Sequence, residues 1–146
     1  GEREGVSYID DSIATTPEAT LAALRSLAPR PTVVLVGGFD RGLDWGEFAR
    51  QIATEPPAAI IAMGQNGARI HAQVEDAIAE LPAARRPALK YCEALDNAVA
   101  AARQWVPAGG VVLLSPGAPS FDQFRDYAER GHRFKEAVHR LAESRT

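Results

Sequence analysis

Five short apolar runs alternate along the chain with segments in which apolar residues recur at helical spacing. The runs occupy residues 6–9, 32–36, 58–63, 88–92 and 110–114. A helical pattern follows each of them, the last continuing past residue 131. Such alternation predicts βαβ units, which form a mainly parallel sheet with helices on both faces. We therefore expect a single α/β domain, residues 1–146, of the doubly wound, Rossmann-like class.

Local signals set the expected helix boundaries. Thr16 and Pro17 suit the N-cap and first position of a helix, so the first helix should begin there. The segment Asp44-Trp45-Gly46-Glu47 has capping-box spacing, with Asp in place of Ser. The last helix is expected to begin near Phe121, which would put Ser120 at an N-terminus that attracts anions.

Polar clusters follow three of the strand-like runs. They cover residues 10–16, 37–42 and 115–122. Because the carboxyl ends of parallel strands meet at one sheet edge, where ligands bind, these clusters should converge on one site. The site would offer hydroxyls, carboxylates and the guanidinium of Arg41, whose planar fork suits a carboxylate ligand. Turn and capping preferences account equally well for the clusters at 10–16 and 115–122 taken alone, whereas a flexible glycine turn at 37–42 leaves Arg41 unexplained.

Composition narrows the classes of function. Hydrophobic residues make up 46% and charged residues 24%, and the net charge is -3, so we expect neither nucleic acid nor an anionic membrane as a partner. Cys92 is the only cysteine, which excludes an internal disulfide and is typical of a buried strand residue in a reducing compartment. The polar segment Gly1-Glu2-Arg3-Glu4-Gly5 is unlike a signal peptide, as expected for a domain cut from a longer chain.

Several familiar motifs are missing from the sequence. The cluster at 37–42 lacks G-x-G-x-x-G spacing, and no G-x-x-x-x-G-K-[ST] occurs, so we do not expect this chain alone to hold a nucleoside triphosphate. No serine lies in a G-x-S-x-G elbow. His71, His132 and His139 lie on predicted helices without ligand spacing, so no metal site is expected.

Taken together and in order, the three clusters resemble the C-terminal domain of the Mur ligases. The matching segments are Tyr8–Thr15, Val34–Gly38, Leu114–Phe124 and Glu129–Gly131. The resemblance covers essentially the whole chain, and three ordered motifs are far more specific than one. It implies that residues 1–146 form the glutamate-binding domain that closes over the site, and that the UDP-sugar-binding and ATP-binding domains are absent from this chain.

The resemblance also implies an ATP-dependent, amide-forming ligase of bacterial peptidoglycan synthesis. ATP phosphorylates the terminal carboxylate of UDP-N-acetylmuramoyl-L-alanine, and the amino group of glutamate attacks the resulting acyl phosphate. ATP and Mg²⁺ would be bound mainly by the absent central domain, so the isolated domain is expected to be inactive. The full enzyme is expected to be cytoplasmic and monomeric.

Site residues carry over from the family by motif position. Thr15 would contact the glutamate, and Arg41 takes the place of a lysine that pairs with a glutamate carboxylate. Ser120 would donate a hydrogen bond to the side-chain carboxylate. The backbone at Phe121 and Tyr127 would line the pocket.

The nucleotide side of the closed site is expected at Asp11 and Ser12. D-glutamate-adding enzymes of the family have a lysine where this chain has Ile13. Together with Arg41, this departure favours the branch that adds L-glutamate, where a separate epimerase later inverts the residue. Three alternatives stay open: a D-glutamate-adding ligase of the same family, a related ligase that adds glutamate to folate, and a non-catalytic Rossmann-like binding module.

Overall fold

A computed structural model describes residues 2–143, which form one sheet and five α-helices. The strands are β1 (Glu2–Arg3), β2 (Val6–Asp10), β3 (Thr32–Val36), β4 (Ala59–Met63), β5 (Ala88–Cys92) and β6 (Val111–Leu114). The helices are α1 (Pro17–Leu27), α2 (Gly46–Thr54), α3 (Gly67–Ile78), α4 (Leu95–Ala102) and α5 (Tyr127–Glu143), with a short 3₁₀ turn at Ala83–Arg85. Within residues 2–143, no helix is both long enough and apolar enough to cross a membrane.

The strand order in the sheet is β1-β2-β6-β3-β4-β5. Strands β2 to β6 are parallel, and β1 pairs antiparallel with β2 at the edge. The chain runs outward through β3, β4 and β5, and α4 then brings it back so that β6 lies between β2 and β3. The loop after β6 leads to the helix layer opposite to that reached after β2 and β3. A crevice at the carboxyl ends of these strands follows from that reversal.

Each face of the sheet carries its own core. Helices α1, α2 and α3 cover one face, and α4 and α5 cover the other. Alternate residues of β3 serve the two layers: Val33 and Leu35 pack with α4 and α5, and Val34 packs with α2 and α3. Continuously apolar strands are what such two-sided burial requires. The predicted doubly wound α/β class is therefore confirmed.

Most predicted boundaries agree with the structure. The five apolar runs are β2 to β6, and Cys92 is buried at the end of β5. Helix α1 begins at Pro17, and the N–H of Ala19 donates to the hydroxyl of Thr16, so Thr16 is the N-cap. Strand β1 was not predicted, because two polar residues give no periodic signal.

The predicted start of the last helix near Phe121 is wrong, because α5 begins at Tyr127. The carbonyl of Ser120 accepts two amide hydrogen bonds that close a single turn without continuing it. The helix begins only where the carboxylate of Asp126 accepts the N–H of Glu129, at 2.9 Å, as an N-cap does. Ser120 therefore does not lie at a helix N-terminus.

The capping box predicted for α2 forms only in part. The helix begins at Gly46, whose N–H donates to the carboxylate of Asp44 at 2.8 Å. The carboxylate of Glu47 does not reach back, because it accepts hydrogen bonds from Arg50 and Gln51 along the helix. These bonds to Gln51 and Arg50 lower the pKa of Glu47.

Candidate functional site

The loops that follow β2, β3 and β6 are hydrogen-bonded to one another at the carboxyl edge of the sheet. The N–H of Asp11 donates to the carbonyl of Leu114 at 2.7 Å, and the hydroxyl of Ser115 donates to the Asp11 carboxylate at 2.8 Å. The N–H of Gly37 donates to the carbonyl of Pro116 at 2.8 Å. The predicted convergence of the three polar clusters is thus confirmed.

Arg41 and Thr15 lie side by side in this edge. The guanidinium Nη2 of Arg41 donates to the carbonyl of Thr15 at 3.1 Å, which joins the loop after β3 to the loop after β2. Arg41 is otherwise exposed and Thr15 is half-buried. A guanidinium has five N–H donors, so one such bond leaves donors able to bind a carboxylate ligand.

The loop after β6 covers the loop after β3. The N–H of Phe39 donates to the carbonyl of Pro119 at 2.8 Å. The rings of Phe39 and Phe121 form an edge-to-face pair with centroids 6.1 Å apart, although 65% of Phe121 is exposed. Ser120, which lies between Pro119 and Phe121 in the sequence, is buried. The edge-to-face arrangement is a favourable one for aromatic pairs, so it holds the two loops together while Phe121 stays largely in solvent.

Asp10 organises the start of the loop after β2. Its carboxylate accepts both the N–H and the hydroxyl of Ser12, which is buried. The next residue, Ile13, is 67% exposed. Half-exposed Tyr127 borders a shallow hollow that Ser12 and Ile13 also line. Among the hydrogen bonds of residues 2–143, none joins Tyr127 to Arg41.

The loop after β4 belongs to the same edge, although no sequence argument singled it out. The side-chain oxygen of Asn66 accepts the N–H of Gly38 at 2.8 Å, and Asn66 is buried. The side chain of Gln65 accepts the N–H of Asp40 at 2.7 Å, while its N–H donates to the carboxylate of Asp122 at 2.9 Å. Polar residues directly after an apolar strand were the available signal, and applying that rule to β4 finds them.

Asp40 holds the segment that carries Arg41. Its carboxylate accepts the N–H of Gly42 at 2.8 Å and pairs with the guanidinium of Arg69 at 2.7 Å. The Asp40 carboxylate therefore links the N–H of Gly42, just after Arg41, to the guanidinium of Arg69 on α3. The exposed guanidinium of Arg41 thus lies on a loop whose neighbouring residues, Asp40 and Gly42, are both hydrogen-bonded.

Arg130 is a further residue, besides Gln65 and Asn66, for which the sequence predicted no role. Its guanidinium is 1% exposed and donates to the carbonyls of Ser12 and Ala118, each at 2.8 Å. Burial lowers the pKa of Arg130 to about 10, and the carboxylates of Asp122 and Asp10 oppose that shift. The side chain stays cationic near neutral pH.

The side chains gathered here suit an anionic amino acid better than a metal ion. Residues 2–143 contain no group of three or more His, Cys, Asp or Glu side chains placed to hold a metal ion. The carboxylate of Asp11 already accepts from Ser115. What the edge does provide is the exposed guanidinium of Arg41, with the hydroxyl-bearing residues Thr15 and Ser120 on the loops after β2 and β6.

Comparison with known proteins gives a consistent picture. A family model described as "Mur ligase, glutamate ligase domain" matches residues 1–118. A relative from Xanthomonas euvesicatoria pv. vesicatoria (strain 85-10) is 50% identical over 135 residues, or 92% of this chain. One from Xylella fastidiosa (strain Temecula1 / ATCC 700964) is 51% identical over 136 residues, and one from Micromonospora sp. (strain ATCC 39149 / NRRL 15099 / SCC 1413) is 40% identical over 137 residues; both matches again cover 92% of this chain.

All three relatives are named UDP-N-acetylmuramoyl-L-alanine--L-glutamate ligase. The chain spans 28% of the length of each.

Proposed function

The chain belongs to the Mur ligase family as a glutamate ligase domain, and we propose that it binds glutamate and closes over the site of a longer ligase. The full enzyme would add L-glutamate to UDP-N-acetylmuramoyl-L-alanine, the activity for which the relatives are named. The observation that carries the proposal is the exposed guanidinium of Arg41 beside Thr15, at the edge where the loops converge.

Glutamate has two carboxylates and one amino group, so a site for it needs cationic and hydroxyl donors. In the proposal, the N–H groups that Arg41 does not use for Thr15 bind one carboxylate, and charge-assisted bonds of this kind are the strong ones. Thr15 contacts the same amino acid from the loop after β2. Ser120 is buried, so its hydrogen bond to the side-chain carboxylate is expected to contribute less.

The other predicted contacts belong to the rim of the site. The backbone at Phe121 and Tyr127 is proposed to line the pocket, and Asp11 is proposed to face the nucleotide side. Ser12 was predicted on the nucleotide side as well. Its hydroxyl is engaged with Asp10 in this domain, so we propose that Ser12 supports that loop.

The contribution of this domain to the reaction is positional. ATP, bound elsewhere in the full enzyme, supplies the phosphoryl group that activates the carboxylate of the sugar-alanine substrate. The residues of this chain hold glutamate so that its amino nitrogen faces that carboxylate, and they exclude water as the domain closes. Holding two reactants in an attacking geometry lowers the barrier by about 7–11 kcal/mol in favourable cases.

Two features favour L-glutamate over D-glutamate. Ile13 is 67% exposed at the site, so the loop after β2 presents an apolar side chain where D-glutamate enzymes of the family place a lysine. Arg41 supplies the cation from the loop after β3. This arrangement would hold the carboxylates differently, and the relatives are named for the L isomer.

The remaining parts of the enzyme lie outside this chain. We propose that separate UDP-sugar-binding and ATP-binding domains account for the rest of the length that the relatives have. Mg²⁺ would accompany ATP in the latter, and the isolated domain would be inactive. The full enzyme would work as a monomer in the cytoplasm, where ATP and UDP-linked sugars are available.

The direct test is ATP-dependent ligation by the full-length enzyme, with UDP-N-acetylmuramoyl-L-alanine and each glutamate enantiomer supplied separately. We expect product and phosphate release with L-glutamate and none with D-glutamate. Turnover with D-glutamate alone would keep the family role and overturn the stereochemical proposal. Turnover with neither enantiomer would contradict the function itself.

A further inference from the structure

The guanidinium of Arg130 lies between the two loops that follow the neighbouring parallel strands β2 and β6. It enters from the first turn of α5, and its two terminal nitrogens donate to the carbonyl of Ser12 after β2 and to the carbonyl of Ala118 after β6. Both acceptors are backbone atoms in buried residues. One side chain therefore ties the two loops together at Ser12 and Ala118, in addition to the N–H of Gly117, which donates to the carbonyl of Ala14 at 3.0 Å.

The backbone around this side chain leaves no spare room. A Cβ on Gly38 would lie 2.6 Å from the carbonyl oxygen of Pro119 and 3.1 Å from Nη1 of Arg130. A Cβ on Gly131 would overlap the carboxylate of Asp10. The loops after β2, β3 and β6 thus pack closely around one guanidinium.

A buried charge is a poor way to stabilise a fold. Removing a guanidinium from water costs several kcal/mol, and well-packed apolar groups often replace buried ion pairs without loss. Nε of Arg130 has no hydrogen-bond partner among the described residues, so the compensation is incomplete. What an apolar side chain could not reproduce is the simultaneous bond to two loop carbonyls.

Each clamped loop carries a residue proposed to contact glutamate. Thr15 lies three residues after Ser12, and Ser120 lies two residues after Ala118. We infer that Arg130 is a positioning residue, which sets the width of the glutamate cleft by tying the Thr15 loop to the Ser120 loop. The inference rests on the proposed function. Arg130 itself is buried and does not contact the substrate.

The test uses Arg130→Met and Arg130→Lys in the full-length enzyme. We expect Arg130→Met to lower kcat/KM for glutamate by about 10²-fold, mainly through a higher KM, because displacement by about 1 Å can have that effect. The KM for UDP-N-acetylmuramoyl-L-alanine should stay unchanged, and the KM for ATP should rise by less than the KM for glutamate, because Asp11, proposed for the nucleotide side, also lies on the Ser12 loop. Arg130→Lys keeps the charge and can bond one carbonyl, so its glutamate KM should fall between those of Arg130→Met and the wild type.

Arg133→Met is the matched control. Arg133 lies on the same helix, but its side chain is exposed and pairs only loosely with Asp96 at 3.7 Å and Glu136 at 3.9 Å. This variant removes the same charge from α5 outside the cleft, so the glutamate KM should not change.

Amide hydrogen exchange on the same full-length proteins gives a readout that is independent of activity. Exchange should accelerate at residues 11–17 and 115–121 in Arg130→Met, with residues 33–36 of the central strand unaffected. An unchanged glutamate KM in Arg130→Met would overturn the inference. Equal increases in the KM values for glutamate, ATP and UDP-N-acetylmuramoyl-L-alanine, together with faster exchange throughout the fold, would also overturn it, because they would indicate a general loss of structure. If the wild type ligated no glutamate, the proposed function would fail, whereas the local exchange result would still report whether Arg130 clamps the loops.

Discussion

The two ends of the sheet are built in different ways. At the carboxyl end, loops are joined through side chains, and most of the buried polar side chains lie there. They are Ser12, Thr20, Asn66, Ser115, Ser120 and Arg130. Thr20 belongs to this group because its hydroxyl, from the first turns of α1, donates to the carbonyl of Ser115 at 2.8 Å.

The amino end is closed by prolines and by backbone hydrogen bonds. Prolines occur in all four loops that lead into β3, β4, β5 and β6, at Pro29, Pro31, Pro56, Pro57, Pro82, Pro87 and Pro107. Backbone bonds continue the strands into these loops, as where the N–H of Ala58 donates to the carbonyl of Thr32 and the N–H of Val111 donates to that of Pro31, both at 2.9 Å. Proline restricts the unfolded chain and needs no buried polar side chain to hold a loop in place.

The contrast shows where the sequence serves something other than stability. Burying a polar group is unfavourable unless each of its hydrogen bonds is replaced, and a charged group is worse. At the amino end, Thr32, whose hydroxyl donates to the carbonyl of Arg30, is the one such buried polar side chain among residues 2–141, so these loops are closed with far fewer of them. Their accumulation at the carboxyl end is what a preorganised binding site requires, because its contact residues must be held by a supporting layer.

The largest expected effect distinguishes two glycines with similar backbone angles at opposite ends. Gly37 has φ 108° and a Cβ there would overlap the carbonyl of Met63, whereas Gly109 has φ 85° and nothing within 4 Å. Gly37→Ala should lower the free energy of unfolding by roughly 3–5 kcal/mol, from strain plus overlap. Gly109→Ala should cost about 1–2 kcal/mol, from strain alone. Urea unfolding midpoints measure both, and equal losses would mean that the carboxyl end is no tighter than the amino end.

Arg41→Ala in the full-length enzyme tests the exposed cation of the carboxyl end. Loss of a charge-assisted pair should weaken glutamate binding by an amount on the order of 2–4 kcal/mol, which is measured as a higher apparent KM for glutamate. The melting temperature should stay unchanged because Arg41 is exposed. Arg50→Ala is the control, since Arg50 is 68% exposed and pairs with Glu47 on α2. Steady-state kinetics decide, and a wild-type KM for Arg41→Ala would remove it from the site.

Asn66→Ala tests the supporting layer without touching the proposed ligand contacts. It leaves the N–H of Gly38 without its acceptor in a buried position, which should lower the free energy of unfolding by about 1–3 kcal/mol. Gln51→Ala is the counterpart at the other end, where the amide bonds Arg25 and Glu47 at the surface. Its effect should lie within about 0.5 kcal/mol. Similar decreases in the free energy of unfolding for Asn66→Ala and Gln51→Ala, measured by chemical denaturation, would contradict the proposed difference between the two ends of the sheet.

Ser120→Ala should have the smallest effect. Because the hydroxyl of Ser120 is proposed to donate to the side-chain carboxylate of glutamate, its loss should raise the glutamate KM by a factor that corresponds to about 1 kcal/mol of binding free energy. Ser26→Ala is the control, because the hydroxyl of Ser26 donates to the carbonyl of Ala23 within α1 and should leave kinetics unaltered. An effect of Ser120→Ala on kcat alone would assign the residue to a later step than glutamate binding.

The sequence predicts the centre of the sheet well because β3, β4 and β6 are buried on both faces. The run Val33 to Val36 is apolar at every position, and a short run of this kind between two helical segments predicts a strand covered on both faces. The helix starts depended on local chemistry. Thr16-Pro17 predicted the start of α1 correctly, because the capping bond from Ala19 to Thr16 is local. The start of α5 was missed because the turn at Ser120 does not continue into the helix, which begins only where Asp126 accepts the N–H of Glu129.

The site was predictable only as far as its parts follow strands. Arg41 and Thr15 were placed by that rule, and they are bonded in the structure. Gln65 and Asn66 obey the same rule and were passed over. Arg130 lies in the segment Glu129–Gly131 that carries the family resemblance, but the residue pattern gives it no role. An arginine in the first turn of a charged helix resembles a solvent-facing residue until the tertiary fold brings two carbonyls to it.

The short strand β1 has a consequence for how this molecule meets others. A long, flat edge strand is a template for unwanted pairing between chains, and natural sheets guard against it with brevity and charge. Strand β1 is two exposed charged residues, Glu2 and Arg3, laid over the edge of β2, and the opposite edge strand β5 presents Lys90 to solvent. Both margins of the sheet are thereby discouraged from adding strands, so crowding with copies of itself should not seed aggregation through the sheet.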